Sequence, residues 1–364
     1  MNICILSELF YPYVLGGAER RYMEIAKRLS KKHEITVYSL RLHGFPKTEI
    51  WENITIKRVG MEHPLNKRFL PALATYASPL LRCMKSEYDV IDMNQGIAMY
   101  ASIFSPATHR PMIATFHDIY ADAWKKYYPG FYSFVGKVME YGWSMLAFDS
   151  VIANSFQTKE KLEQLGIKNA TVINSGIDLK FINSIRSKKT NSIVYVGRLV
   201  DYKHVDELII AFKGIEKQYP NTTLKIIGSG YDEQRLKNIA ANDKRIKFFG
   251  YVSEKDKIRH IKSASLLVNP SEVEGLGLIL LEAMACRTPV MAKALSCYKD
   301  FAIAGKNAFI TNKITAKSIL KILDNKKLQN NLSAEGHATA KNFTWDKTAE
   351  RVERIYQNRS FNTV

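Results

Sequence analysis

Two glutamates eight positions apart, Glu274 and Glu282, frame the stretch of this sequence best suited to chemistry, Pro270–Ala292, PSEVEGLGLILLEAMACRTPVMA. Gly275, Leu276, Gly277 and Leu278 follow the first glutamate. Apolar residues at 265–268 predict a buried strand closed by Pro270-Ser271, and 278–285 are strong helix formers, so the reading is strand, glycine loop, helix. Such a helix start offers unpaired backbone N–H groups to an anion, and the glycines let a phosphate approach the backbone. Phosphate repels carboxylates, whereas hydroxyls hydrogen-bond to them. A ligand carrying both groups, such as a nucleotide sugar, fits this pattern. The alternative is a core helix with surface glutamates.

The flanking segments must position that loop. Residues 192–196 predict a strand followed by Gly197-Arg198, Asp201 and Lys203, then a helix over 205–217. A strand at 224–227 runs into Gly228-Ser229-Gly230, and further strands are expected at 247–249 and 289–292. The first half opens in the same way. A strand at 2–7 leads through a loop to Gly16-Gly17, a helix at 18–30 and a strand at 34–40. This is a βαβ unit, but it lacks the G-x-G-x-x-G dinucleotide fingerprint. The diglycine reads equally as a tight turn or a ligand contact. Strands at 89–93, 111–116, 150–154 and 170–173 follow, and His117-Asp118 ends the second of these on the edge where parallel sheets bind ligands. A lone histidine is also often structural. Gly176-Ile177-Asp178 and the polar segment 183–191 read as a linker, and 345–357 as an amphipathic tail helix.

A chain of 364 residues with 46% hydrophobic and 24% charged residues accommodates two globular domains. The four cysteines form no C-x-x-C pair, which predicts reduced thiols, no structural zinc and a cytoplasmic location. No signal-peptide core or membrane-spanning run is expected. The net charge of +18 is uneven, with 21 Lys and Arg against 16 Asp and Glu over 1–175 and 32 against 19 over 176–364. These charges are scattered, without a run of five or a nucleic-acid signature, so nucleic acid is not the expected partner. Nine aromatics between Trp124 and Phe148 stand beside Lys125, Lys126 and Lys137. An apolar stripe in Leu65–Lys85 is bordered by Lys67, Arg68, Arg82 and Lys85. Both segments suit an anionic membrane surface or the packing of long interior helices.

Together these residues resemble the retaining glycosyltransferases of family 4, with the GT-B architecture. The E-x7-E stretch and Y-V-G-R-L-V-D-Y-K at 195–203 carry most of the likeness. Gly16-Gly17-Ala18-Glu19, Phe116-His117-Asp118, Gly176-Ile177-Asp178, Gly228-Ser229-Gly230 and Phe343-Thr344-Trp345-Asp346 support it. The resemblance implies an α/β fold of two Rossmann-like doubly wound domains facing a central cleft. Residues 1–178 would form the acceptor domain, with a C-terminal helix at 345–364 packing back on it, and 190–344 the donor domain. It assigns Arg198 and Lys203 to the diphosphate, Glu274 to the sugar hydroxyls, Glu282 to the ribose and His117 to a place over the sugar. Gly16, Gly17, Gly228, Gly230 and Gly275–Leu278 are expected to line the donor. No cofactor or metal is implied, and the sequence has no D-x-D motif.

The implied reaction moves a hexose from a UDP- or GDP-linked sugar to a lipid-linked or surface-glycan acceptor at the inner membrane face. A sugar-nucleotide epimerase or hydrolase of the same fold, and a non-catalytic membrane-associated partner of another transferase, are the alternatives. The chain departs from the family where His204 replaces a usual glycine and Arg287 a small residue or glycine. It departs again where Ser296-Cys297 and Asp300 replace a glycine pair and a glutamate, and where Ser175 replaces an asparagine.

Overall fold

The computed structural model describes residues 1–13, 16–63, 88–104, 110–121, 123–127 and 130–360. The apolar stripe of Leu65–Lys85 lies outside them. The chain forms two compact units, one of residues 1–176 together with the chain from Trp345 onward, the other Ile177–Thr344.

The first unit is built on an eight-stranded sheet in the order β3-β4-β2-β1-β5-β6-β7-β8. These strands are β1 (Asn2–Leu6), β2 (Glu34–Leu42), β3 (Thr48–Trp51), β4 (Ile54–His63), β5 (Val90–Asn94), β6 (Met112–Phe116), β7 (Ser150–Ala153) and β8 (Thr171–Val172). All pairings are parallel except β3 with β4. Helix α1 (Gly17–Leu29) buries Tyr22, Ile25, Ala26 and Leu29, the i, i+3, i+4, i+7 stripe that packs a helix on a sheet. Helices α2 (Ala123–Tyr127), α3 (Phe131–Ser144) and α4 (Phe156–Gln164) complete this part of the chain.

The hairpin β3-β4 was not expected. Its turn is Glu52-Asn53, both in the left-handed region at φ 49° and 64°, so the connection has primed geometry without the Asn-Gly pair that usually signals it.

The second unit carries six parallel strands in the order β11-β10-β9-β12-β13-β14. They are β9 (Ser192–Val196), β10 (Thr223–Ile227), β11 (Ile246–Phe248), β12 (Leu266–Asn269), β13 (Val290–Lys293) and β14 (Phe309–Thr311). Alternation along each strand feeds two cores: Ile193, Tyr195, Leu266 and Val268 join one, Val194 and Leu267 the other. The helices are α5 (Leu179–Ser184), α6 (Val205–Lys213), α7 (Glu233–Ala240), α8 (Glu254–Ser263), α9 (Leu278–Ala285), α10 (Ala316–Leu323) and α11 (Lys326–Ala340).

The boundary between the units falls at Gly176-Ile177, inside the expected linker, and a short helix follows it. Asp178 caps α5 by accepting the Phe181 N–H at 2.9 Å, and Ile177, Ile182 and Ile185 enter the second unit's core.

The last helix, α12 (Trp345–Ser360), belongs to the first unit. Ala349, Val352 and Tyr356 pack with Tyr22 and Ile25 of α1. Arg28 meets Asp346 at 2.7 Å, His33 meets Glu353 at 2.8 Å, and the Thr348 hydroxyl donates to the Asn174 carbonyl at 2.9 Å. The deepest tie is Asp92 of β5, whose carboxylate accepts the hydroxyls of Tyr22, at 2.7 Å, and of Tyr356. Burial pushes the Asp92 carboxyl above the usual carboxylate range. Tyr356→Phe leaves that buried oxygen without a donor and should cost roughly 1–3 kcal/mol. Urea unfolding followed by a first-unit probe checks this; an unchanged midpoint would mean that the tie contributes nothing.

Candidate functional site

In the second unit the chain leaves β9 in one direction and β12 in the other. The crevice at their carboxyl ends is the topological switch point, where open α/β sheets bind ligands. Arg198 and Lys203 follow β9, and Glu274 follows β12. Lys203 Nζ lies 2.7 Å from Glu274 Oε1 and donates to the Val273 carbonyl at 3.1 Å. Asn269 Nδ2 donates to the same Glu274 oxygen at 3.1 Å and lies 3.1 Å from the Tyr298 hydroxyl. Arg198, exposed, donates from Nη2 to the Tyr202 hydroxyl at 2.6 Å. Tyr202 is buried, and the Glu272 N–H donates to its carbonyl at 3.0 Å, so a single turn ties the two loops together.

Helix α9 begins as the sequence reading placed it. Its first residue follows Gly277, which sits at φ +85° with the Tyr298 ring directly beneath, so that a Cβ would meet the ring at 2.4 Å. Only glycine meets both demands. Gly228 and Gly230 have a similar reason: a Cβ on either would fall about 2 Å from a backbone carbonyl oxygen, that of Gly197 or Leu199. The β10 loop is laced to the β9 loop, with the Leu199 N–H donating to the Ser229 carbonyl at 2.9 Å.

Glu282 is buried on α9 and is held by Lys257 of α8, whose Nζ lies 2.9 Å and 2.8 Å from its two oxygens. Tyr202 lies within the 195–203 motif without an assigned role, and sequence reading missed Lys257, Asn269 and Tyr298. They reach the site through strand order and helix packing, and no local motif marks them.

Two family departures fall on one structural feature. His204 (φ 48°) and Arg287 (φ 56°) both occupy the left-handed region, where glycine is the unstrained residue. They therefore alter backbone preference at a helix start and a helix end. The Ser175 hydroxyl donates to Asn154 Oδ1 at 2.8 Å and accepts Arg21 Nη1 at 3.2 Å, which anchors the first unit's last residues to its own core.

In the first unit His117 ends β6. Its Nε2 lies 2.8 Å from Asn94 Oδ1, and its backbone N–H donates to Gln95 Oε1 at 2.8 Å. Burial, then the nearby Arg21 guanidinium, lowers its pKa to about 3, so the ring is neutral at physiological pH. The loop beyond is pinned by Lys161 on Asp118 at 2.7 Å, and by Glu140, which accepts the N–H groups of Tyr120 and Ala121 at 2.7 and 2.9 Å. Gly16 and Gly17 open α1, and the Gly16 N–H donates to the Glu19 carboxylate at 2.8 Å.

Residues 15–181 match the family model of glycosyltransferase family 4, and residues 178–339 that of glycosyl transferases group 1. The chain belongs to the family 4, group 1 glycosyltransferases. An uncharacterized glycosyltransferase of Methanocaldococcus jannaschii is 26% identical over 98% of each chain. Two solved structures share the GT-B fold. A sucrose-phosphate synthase of Thermosynechococcus elongatus has TM-score 0.84 at 18% identity, covering 98% of each chain. HepE of Anabaena, solved with UDP-glucose, has TM-score 0.76 at 19% identity over 98% of this chain and 100% of that one.

Lys257→Met in this glycosyltransferase strands a buried carboxylate and should lower the second unit's stability by roughly 1–3 kcal/mol. The double variant with Glu282→Gln should recover most of that loss in urea unfolding. No recovery would show that Lys257 acts elsewhere.

Proposed function

We propose that this glycosyltransferase is a retaining, metal-independent hexosyltransferase. It would take its sugar from a UDP- or GDP-linked donor and deliver it to a lipid-linked or surface-glycan acceptor at the cytoplasmic face of a membrane. The observation that carries the reading is the Lys203–Glu274 pair at the switch point beside the start of α9. The two charges neutralise each other at 2.7 Å. A bound diphosphate offers Lys203 and Arg198 a stronger anion, and the sugar offers Glu274 hydroxyl donors, so one ligand satisfies both groups. The donor-bound state of HepE supports a nucleotide sugar as that ligand. Glu282, already fixed by Lys257, takes the ribose.

As the anomeric carbon–oxygen bond breaks, negative charge gathers on the departing diphosphate, where the two cations and the N–H groups of the α9 first turn stabilise it. The acceptor oxygen bonds to the anomeric carbon on the face just vacated, and its proton passes to the departing phosphate oxygen. Metal independence rests on this cationic set and on the lack of a D-x-D motif. Lys203→Ala and Glu274→Ala should each reduce transfer by roughly 10²-fold or more, with unchanged circular dichroism and with wild-type activity preserved in EDTA. Near-normal turnover in either variant, or loss of wild-type activity in EDTA, would refute the assignment.

The membrane setting is supported by α3, whose faces are inverted. Ser133, Gly136, Glu140 and Trp143 are buried, while Phe131, Phe134, Val138, Tyr141 and Met145 are 52–75% exposed at alternating three- and four-residue spacing. The aromatic run thus divides, with Trp143 packing against Phe116 in the core and the other face bare. Lys125 and Lys137, together with Gly130, Ser133 and Phe134, line a cavity of about 360 Å³ beside that face, suited to a lipid phosphate. No described helix is long and apolar enough to cross a membrane. Phosphatidylglycerol-rich vesicles should therefore bind the protein, and the double variant Phe131→Ser, Phe134→Ser should lose most of that binding in a flotation assay. Equal flotation with neutral vesicles would remove the charge argument.

A further inference from the structure

Glu274 receives its protein donors on one oxygen. Lys203 Nζ at 2.7 Å and Asn269 Nδ2 at 3.1 Å both meet Oε1, and no described residue bonds to Oε2. An ionised carboxylate only accepts, with lone pairs on both oxygens, so Oε2 keeps its full capacity for hydroxyl donors. The two donors differ in kind. Lys203 is a charge on a four-carbon stem that also donates to the Val273 carbonyl at 3.1 Å, and a stronger anion can turn it away. Asn269 is neutral, 3% exposed and the last residue of β12, so it moves only with the sheet. Its amide has one orientation. Oδ1 accepts the Ser271 N–H at 3.2 Å, and a flipped amide would set oxygen against the Glu274 carboxylate and Nδ2 against that N–H. The second Nδ2 proton goes to the Tyr298 hydroxyl oxygen at 3.1 Å.

We infer that Asn269 is a positioning residue that holds Glu274 through Oε1, so that Oε2 stays turned to the sugar hydroxyls when the diphosphate draws Lys203 away. The inference rests on the nucleotide-sugar reading above for the identity of the ligand, and every residue in it belongs to the second unit. Asn269 acts through Glu274 and not on the ligand, because both amide protons and the amide oxygen are already engaged by protein. Lys203 and Asn269 thereby divide two tasks that the ion pair alone would leave in conflict. The lysine can follow the phosphate because the amide keeps the carboxylate.

The test uses the full chain and calorimetry with UDP, UDP-glucose, GDP and GDP-mannose. The quantity read is the affinity for a sugar nucleotide divided by that for its own nucleotide diphosphate, which isolates what the sugar adds. Asn269→Leu should lower this ratio about tenfold, as for loss of a single hydrogen bond, and leave binding of the nucleotide diphosphate at the wild-type level. In Glu274→Ala the ratio is already low, and adding Asn269→Leu should lower it no further. Equal loss of nucleotide and sugar-nucleotide affinity in Asn269→Leu would reduce Asn269 to loop support. A tenfold drop that persists in the Glu274→Ala background would make it a ligand contact. Either result overturns the inference, as does a ratio unchanged in Asn269→Leu.

Asn269→Asp adds a readout that loop support would not move. It keeps the acceptor for the Ser271 N–H and sets a second carboxyl against Glu274 Oε1. Two adjoining carboxyl groups share one proton at low pH, which restores the donor, and repel each other once both are ionised. The other groups facing the pair are Lys203 from the β9 loop, Tyr195 of β9, and Tyr298 beside Cys297 beyond β13. Burial holds both tyrosine hydroxyls well above their ordinary range, so neither titrates in the window used. The deficit in the ratio against wild type should be largest at pH 8 and shrink at pH 5. An equal deficit at both overturns the orienting bond. If no probe binds the wild type, the donor reading falls and takes the inference with it. If the probes bind and the variants match wild type, the donor reading stands and the inference alone fails.

Discussion

Right-handed crossovers between parallel strands force the chain to wind outward from a central strand, return, and wind out on the other side. In both units the first strand ends up central: β1 lies between β2 and β5, and β9 between β10 and β12. The connections leaving the two central strands diverge, and the carboxyl edge opens between them. Lys203, carried by one connection, and Glu274, carried by the other, meet there at 2.7 Å although 71 positions apart in sequence. The same divergence in the first unit brings Ser7, Asn94 and His117 into one hydrogen-bonded line from the ends of three strands. Neither grouping survives a different strand order.

Charge balance in the second unit follows from that placement. Each acidic group at the site has a lysine partner, Lys203 for Glu274 and Lys257 for Glu282, and each pair is largely withdrawn from water. Such pairs gain little net stability, because desolvation offsets most of the attraction. Their value is geometric, since each carboxylate is held in one position.

Much of this was legible in the sequence. Strand β9 and helix α9 have the bounds read from apolar pattern alone, because each is bracketed by glycine or proline signals. The glycines of the β10 loop read as a loop expected to line the donor; the structure adds that two backbones cross there with no room for a Cβ. His204 and Arg287 read from the sequence as departures from the family pattern, and the structure shows both at left-handed backbone positions. Lys257, Asn94 and Tyr298 were invisible, since nothing in their neighbours announces what lies across the sheet edge. The aromatic run around α3 was ambiguous for a different reason. Its composition is apolar on both faces, and only the phase of 131, 134, 138, 141, 145 against 133, 136, 140, 143 separates the bare face from the packed one.

The return of α12 to the first unit reaches back into how the protein is made. Chains emerging from the ribosome generally complete their domains in order from the N-terminus. Here Ala349, Val352 and Tyr356 fill the layer occupied by Tyr22 and Ile25, and Asp92 takes one of its two tyrosine hydroxyls from the chain's last helix. The unit that begins the chain is therefore the last to be finished. Until α12 is released, Asp92 has the Tyr22 and Thr115 hydroxyls but not that of Tyr356, and the second unit has every residue it needs to fold first.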